Sequence, residues 1–204
     1  MSDSRERILA EACDLFLADG LDGFSMRKLA EQVGVTAPAL YRHFESKECL
    51  MHAVLLEALR RMASYLFRAL EGPTPHERLR MAIDGYAGFA LDHRHMYQVV
   101  FASPELMGLS SVPAEVETQA QAISRFWNDR IRDAMDAGIL ASGDPAQVGV
   151  TLWAHSHGLI SLYQAGRLDD HVQGSDADFI DFYRNSVARV LKGAGAIAEA
   201  SESI

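Results

Sequence analysis

Apolar residues recur at helical spacing along almost the whole chain. Ile8, Ala12, Leu15 and Phe16 stand at i, i+4, i+7 and i+8, one stripe of a helix over 4–19. Asp3 with Glu6 has the form of a capping box before it, and Gly20 stands where a left-handed C-terminal cap is needed. A turn from Gly20 to Gly23 follows. Ser25 is placed to cap a short second helix through Gln32, which Gly34 closes. Thr36 caps a third, with Pro38 tolerated in its first turn because an N–H there has no intrahelical partner. Ser46 caps a long fourth helix, from about Lys47 toward Leu70.

Gly72-Pro73-Thr74-Pro75 breaks this pattern, and Thr74-Pro75-His76-Glu77 restarts it as cap, first-position proline and third-position glutamate. Leu79, Ile83, Tyr86 and Ala90 continue that stripe. A short helix is expected from His95 to Ala102, and a loop over 103–112. Val116, Ala120, Ile123, Trp127, Ile131 and Ala134 mark a helix between Pro113 and Ala137. Asp144-Pro145 opens another that runs to about Gly166, and Ser175 or Asp176 opens the last. The tail at 193–204 is small and polar and is expected to fray. No segment alternates apolar and polar residues in the manner of a strand, so the predicted fold is all-α, with about nine helices.

With 49% hydrophobic residues in 204, the chain can bury a core, which excludes disorder as its main state. No run approaches the roughly 18 apolar residues of a membrane span. The polar MSDSRER start does not read as a secretory signal, and a cytoplasmic protein without membrane contact is expected. The net charge of −9 argues against a nucleic-acid binder, but its distribution softens the objection. Residues 25–50 carry Arg27, Lys28, Arg42 and Lys47 against Glu31, Glu45 and Glu48, a locally positive segment that His43 could reinforce. A small positioned patch can hold phosphate while an acidic bulk limits non-specific adhesion.

That segment has the requirements of a helix-turn-helix, with the motif at about 26–45. Ala30 is small where the second helix crosses the first. Gly34, four residues on, accepts the positive φ of the turn. Leu29, Val35 and Leu40 lock the pair. The second helix then presents Thr36, Ala37, Pro38, Ala39, Tyr41, Arg42 and His43 outward, and such a helix enters the major groove of double-stranded DNA.

Residues 5–56 closely resemble the N-terminal domain of the tetracycline-repressor (TetR) family of transcriptional regulators. The likeness rests on Ile8-Leu9, Leu15-Phe16, Gly20 and Gly23, Gly34-Val35, and above all Leu40-Tyr41-Arg42-His43-Phe44 with Ser46-Lys47. It implies a homodimer on an inverted-repeat operator, with the remaining helices forming a ligand-binding and dimerisation core. Carried over by position, Tyr41, His43 and Lys47 would hold phosphate. Arg27 and Thr36 would reach bases or backbone, and Pro38 with the methyls of Ala37 and Ala39 would lie in the groove. Trp153, His157 and Gly158 further resemble the Trp-His-Gly subgroup of C-terminal domains.

The implied division is a DNA-binding domain at 1–50 and a ligand-binding and dimerisation domain at 51–192. Candidate pocket residues for a small, apolar or aromatic effector are Tyr86, Phe89, Met96, Phe101, Met107, Phe126, Trp127, Trp153 and His157. Gly85 and Gly88 leave room for a neighbour or a cavity within their helix. Two alternatives differ in class: a DNA-binding architectural or protein-interaction module without a ligand, which predicts a filled core, and an enzyme. No nucleophile–base pair, phosphate loop or carboxylate dyad supports the second. No cofactor is implied, and no metal, since His93 and His95, like His155 and His157, are two apart and point roughly 200° apart on a helix. Cys13, among apolar neighbours, is expected to be inert, and Cys49 lies at a helix N-terminus.

Overall fold

Local signals in the sequence set nearly every helix end in the structure, a computed structural model that describes residues 2–168, 172 and 174–201. Nine α-helices can be traced end to end among them: α1 (Ser2–Gly23), α2 (Met26–Val33), α3 (Ala37–Tyr41), α4 (Lys47–Phe67), α5 (Pro75–Asp92), α6 (Arg94–Val100), α7 (Ala114–Asp136), α8 (Pro145–Gln164) and α9 (Asp176–Ser201). The fold is all-α, with a helix-turn-helix bundle at the N-terminus and a helical bundle after it.

The caps do the delimiting. Ser25 Oγ accepts from Lys28 N at 3.1 Å, Thr36 Oγ1 from Ala39 N at 3.3 Å, and Ser46 Oγ from Cys49 N at 3.0 Å. Thr74 Oγ1 accepts from Glu77 N at 3.2 Å and Asp144 Oδ1 from Ala146 N at 2.9 Å. Ser175 and Asp178 close a reciprocal box, each accepting the other's backbone N–H, at 3.2 and 3.0 Å. Gly34 takes φ 78°, which lets Val35 N reach back to Ala30 O at 2.9 Å and ends α2 sharply. The side chain of Asp3, and so its expected box with Glu6, lies outside the described residues.

Three boundaries differ from the sequence pattern. At Gly20 the backbone leaves helical geometry (φ 68°, ψ −175°), as a cap requires, but the turn to Gly23 is wound closely enough to continue α1 after a kink. α4 ends at Phe67 and tightens into a 3₁₀ turn over Arg68–Glu71, short of the straight run to Leu70. The backbone of α9 continues to Ser201, past the point where a fraying tail is expected.

Packing divides the chain into two units. The first holds residues 1–62 and 93–121, so it extends beyond a boundary at 50 and takes in α6 and the 103–112 loop. Its core joins Leu9, Phe16, Leu29, Leu40, Leu50 and Val54 to Val99, Met107 and Leu109 from that distant segment. Leu55 packs on its edge. Cys13 is buried in this core, where loss of hydration, helped by Asp14, pushes its thiol up to about 12; Cys49 is exposed. The buried thiol therefore stays protonated and unreactive near neutral pH.

The second unit holds residues 63–92 and 122–204. Within it α5 presses on the end of α4: a Cβ on Gly85 would stand 2.7 Å from Tyr65 O, and one on Gly88 3.6 Å from the Tyr65 ring. The two glycines thus admit a neighbouring helix. Tyr163 stacks flat on Phe179 at 4.0 Å and gives its hydroxyl to Asp176 Oδ1 at 2.6 Å, which fastens α8 to α9. Arg184 grips Asp84 with two bonds of 2.8 and 3.2 Å, joining α9 to α5.

Candidate nucleic-acid interface

The helix-turn-helix head is α2 and α3, set by buried contacts. Leu29 and Leu40 are fully buried, Ala30 lies at the crossing, and Val35 packs against the same core. α3 has only five residues, too few to persist alone, so its direction is fixed by Leu40, the Thr36 cap and Phe44.

The expected contact residues fall into three groups. Pro38, Tyr41, Arg42 and His43 are exposed, with Tyr41 at 49%. Arg27 is also exposed and meets Glu31 at 3.2 Å, a surface pair that holds it weakly. Thr36, Ala37 and Ala39 are partly committed to structure: Thr36 caps α3, and Ala37 packs against the head core. Lys47 has a role the motif did not suggest. Its Nζ donates to Phe24 O at 3.0 Å and lies 5.1 Å from the centre of the Phe24 ring, so it braces the chain just before α2. Partial burial lowers the Lys47 pKa, opposed by the nearby Asp22.

Two features escaped the sequence reading. Arg5 in α1 lies over the ring of Phe44 at 5.6 Å, which places another cation beside the residue that follows His43. The second is a strap. Residues 93–115 leave α5 and return to α7 across α1 and α4 of the head. Asp14 meets His95 at 2.6 Å. Glu48 Oε1 accepts from Ser110 N at 2.8 Å and Ser110 Oγ at 2.6 Å. His52 bonds Ser111 O at 3.0 Å, and Arg60 donates to Glu115 at 2.6 Å. Met107 and Leu109 plug the core beneath. The hydroxyl and the N–H of Ser110 hold the Glu48 carboxyl below the usual glutamate range, and His52 adds to this. No local pattern signals such long-range pairs.

The nine candidate pocket residues do not share one place. Met107 is in the head core, Met96 packs against it, and Phe101 pairs with Tyr97 at 4.9 Å. In the second unit, Phe89 meets Tyr65 edge-on at 5.9 Å, and Phe126 stands between Phe67 and Arg130. Tyr86, Trp127 and Trp153 do converge. With Ile83, Gly149, Leu152 and Ser156 they line a crevice of about 10 Å³. Trp153 Nε1 donates to Tyr86 Oη at 3.2 Å, and His157 lies against Trp153 at 6.0 Å between ring centres. His155 bonds Ser186 Oγ at 3.0 Å; burial lowers the pKa of both histidines.

A capped helix-turn-helix whose second helix is followed at once by the exposed Arg42 and His43, attached to a separate helical unit, is the architecture of a DNA-binding regulator of transcription. Residues 8–54 match the bacterial regulatory proteins of the tetR family, and residues 79–188 match the tetracyclin repressor-like C-terminal domain. The chain belongs to the TetR family, a class of DNA-binding transcriptional regulators and not of enzymes. It is 31% identical over 138 residues to the transcriptional repressor KstR2 of Mycolicibacterium smegmatis, covering 66% of each chain. It is 29% identical over 140 residues to the transcriptional activator FasR of the same organism, covering 68% of this chain and 63% of FasR. The chain thus spans just under two thirds of the length of these relatives. A solved structure of a protein of unknown function from Rhodococcus sp. RHA1 superposes with a TM-score of 0.76 at 25% identity, covering 94% of this chain and 95% of that one. No helix among the described residues is long and apolar enough to cross a membrane.

Proposed function

We propose that the protein is a homodimeric repressor that binds an inverted-repeat operator and is released from it by a small apolar ligand. The observation that carries the reading is the head itself: a five-residue recognition helix, rigidly capped, with Tyr41, Arg42 and His43 exposed at its end and Arg27 exposed on α2. Tyr41 and His43 serve phosphate, Arg27 and Arg42 bases or backbone, and Pro38 and Ala39 the groove floor. Lys47 acts mainly through the brace it makes to Phe24.

Dimerisation is assigned to α8 and α9. Thr151, Ala154, His155, Gly158 and Leu162 form one stripe of α8, at i, i+3, i+4, i+7 and i+11, with Leu162 at 42% exposure. A Cβ on Gly158 would meet nothing within 4 Å, so another backbone can approach there. With Trp153 and His157, Gly158 also carries the likeness to the Trp-His-Gly subgroup.

The test is selection of the purified protein from random duplexes, followed by titration of the enriched sequence across a salt series. An enriched inverted repeat is expected. Its affinity should fall with a log–log slope of about −0.9 for each phosphate neutralised. Tyr41→Phe should weaken binding to all sequences alike. Failure to enrich any repeat, from a folded dimer, removes this reading.

The strap supplies the coupling. It is continuous with α5 and α7, so a ligand that shifts either helix pulls on Glu48 and α4, and hence on the head. Glu48→Gln is expected to change the response of operator affinity to ligand severalfold, with Ser110→Ala adding little to it. The pH dependence has a definite sign. The folded Glu48 carboxyl titrates below the ordinary glutamate range, so the latch is intact at neutral pH and is lost as the pH falls through that depressed value. One observation favours a ligand-independent module: the crevice, at about 10 Å³, is almost closed.

A further inference from the structure

The crevice between α5, α7 and α8 is small, but its wall chemistry is selective. Of the residues that line it, none is Asp, Glu, Lys, Arg or His. A buried carboxylate or ammonium would find no counter-charge there, and an unpaired buried charge is strongly disfavoured. The walls are broad aromatic faces: Tyr86 and Trp127 stand edge to face at 6.4 Å, and both tryptophans of the chain line the site. The polar groups are neutral hydroxyls and indole N–H groups. Ser156 is buried and shares a hydrogen bond with the Tyr183 hydroxyl, which also reaches Ile83 O at 3.4 Å. Burial pushes the Tyr183 phenol well up, so it remains uncharged.

One wall is built differently from the rest. Tyr86 is buried at 2% exposure, whereas Trp153 is 46% exposed although its Nε1–H reaches inward to the Tyr86 hydroxyl. A half-exposed indole can rotate toward solvent without opening the core behind it. On α8 it lies roughly 100–180° around the helix from Ala154, His155, Gly158 and Leu162, off the proposed dimer stripe.

Resting on the reading of the protein as a ligand-responsive regulator, we propose that Trp153 is a gate. Its release from Tyr86 opens the crevice to an uncharged, largely aromatic molecule carrying one oxygen or nitrogen that hydrogen-bonds the Ser156 hydroxyl. In the closed state the space holds about one water molecule. The gate therefore separates an occupied from an unoccupied site, and the absence of any charged wall excludes carboxylates and ammonium ions.

Two fluorescent probes with one skeleton test this on the full-length protein: uncharged N-phenyl-1-naphthylamine and its sulfonated counterpart, 1-anilinonaphthalene-8-sulfonate. The neutral dye is expected to brighten saturably, at one per chain, and to drain emission from the two tryptophans. The sulfonate should bind at least about tenfold more weakly. Tyr86→Phe keeps the ring but removes the acceptor for the gate, and should tighten the neutral dye severalfold. Trp153→Phe, a shorter gate without an N–H, should do the same. The proposal falls if the neutral dye does not saturate, if the sulfonate binds as well, or if both variants bind like the parent. Operator binding by the same preparation without dye is read separately. A chain that binds its operator but no dye loses the gate and keeps the regulator; one that binds dye but no DNA loses the regulator and keeps the site.

Discussion

Leu40→Ala is expected to abolish operator binding while most of the protein stays helical. Leu40 is the fully buried side chain of α3, with Ala37 only packing on the edge of the head core. Its truncation leaves a cavity among tightly packed neighbours and should cost about 2–5 kcal/mol. For a chain of this size that corresponds to a fall in Tm of roughly 2–4 °C per kcal/mol. The functional loss should be larger than the stability loss, because a five-residue helix has no direction of its own. Leu106→Ala is the control. Leu106 is 66% exposed on the 103–112 loop, and its loss should lie within about 0.5 kcal/mol of neutral. Thermal unfolding and operator titration of the two variants check this together. Retention of operator affinity by Leu40→Ala would mean that α3 is not the element that reads DNA.

Much of this head was legible because its determinants are local. Ser25, Gly34, Thr36 and Ser46 act on backbone groups within four residues, so spacing alone reveals them. The burial of Leu29 and Leu40 follows from helical period in the same way. Lys47 marks the limit of that reasoning. A lysine beside a helix N-terminus resembles a phosphate ligand, yet its ammonium reaches 23 residues back to Phe24 O. The strap is less legible still. Glu48 and Ser110 are 62 residues apart, and Met107 sits in what reads as a loop. Nothing periodic announces that this loop completes the core of the head. The pocket residues were dispersed for the same reason: large apolar side chains are identifiable from sequence, but which unit each one fills is decided by the fold. Met96 and Met107 went to the head, while Trp127, Trp153 and Tyr86 met in the second unit.

Leu162→Glu separates the dimer from the fold that carries it. In a monomer the substitution places a charge at a position already 42% exposed, and such surface changes stay within about 0.5 kcal/mol. In a two-fold dimer the same residue enters the interface twice. Two like charges would then be desolvated near one axis, beside the small side chains of Ala154 and Gly158 and with His155 already bonded to Ser186. The variant is therefore expected to keep its helicity and to sediment as a monomer where the parent sediments as a dimer. Operator affinity should drop by about 10²–10⁴, the advantage lost when two linked heads become independent. Binding to an isolated half-site should be unchanged, since no head residue is altered. Sedimentation velocity and titration of full and half operators give the three readings. A variant that remains dimeric places the interface elsewhere than the Gly158 stripe. A parent already monomeric removes the homodimer itself, and with it the geometric reason for an inverted repeat.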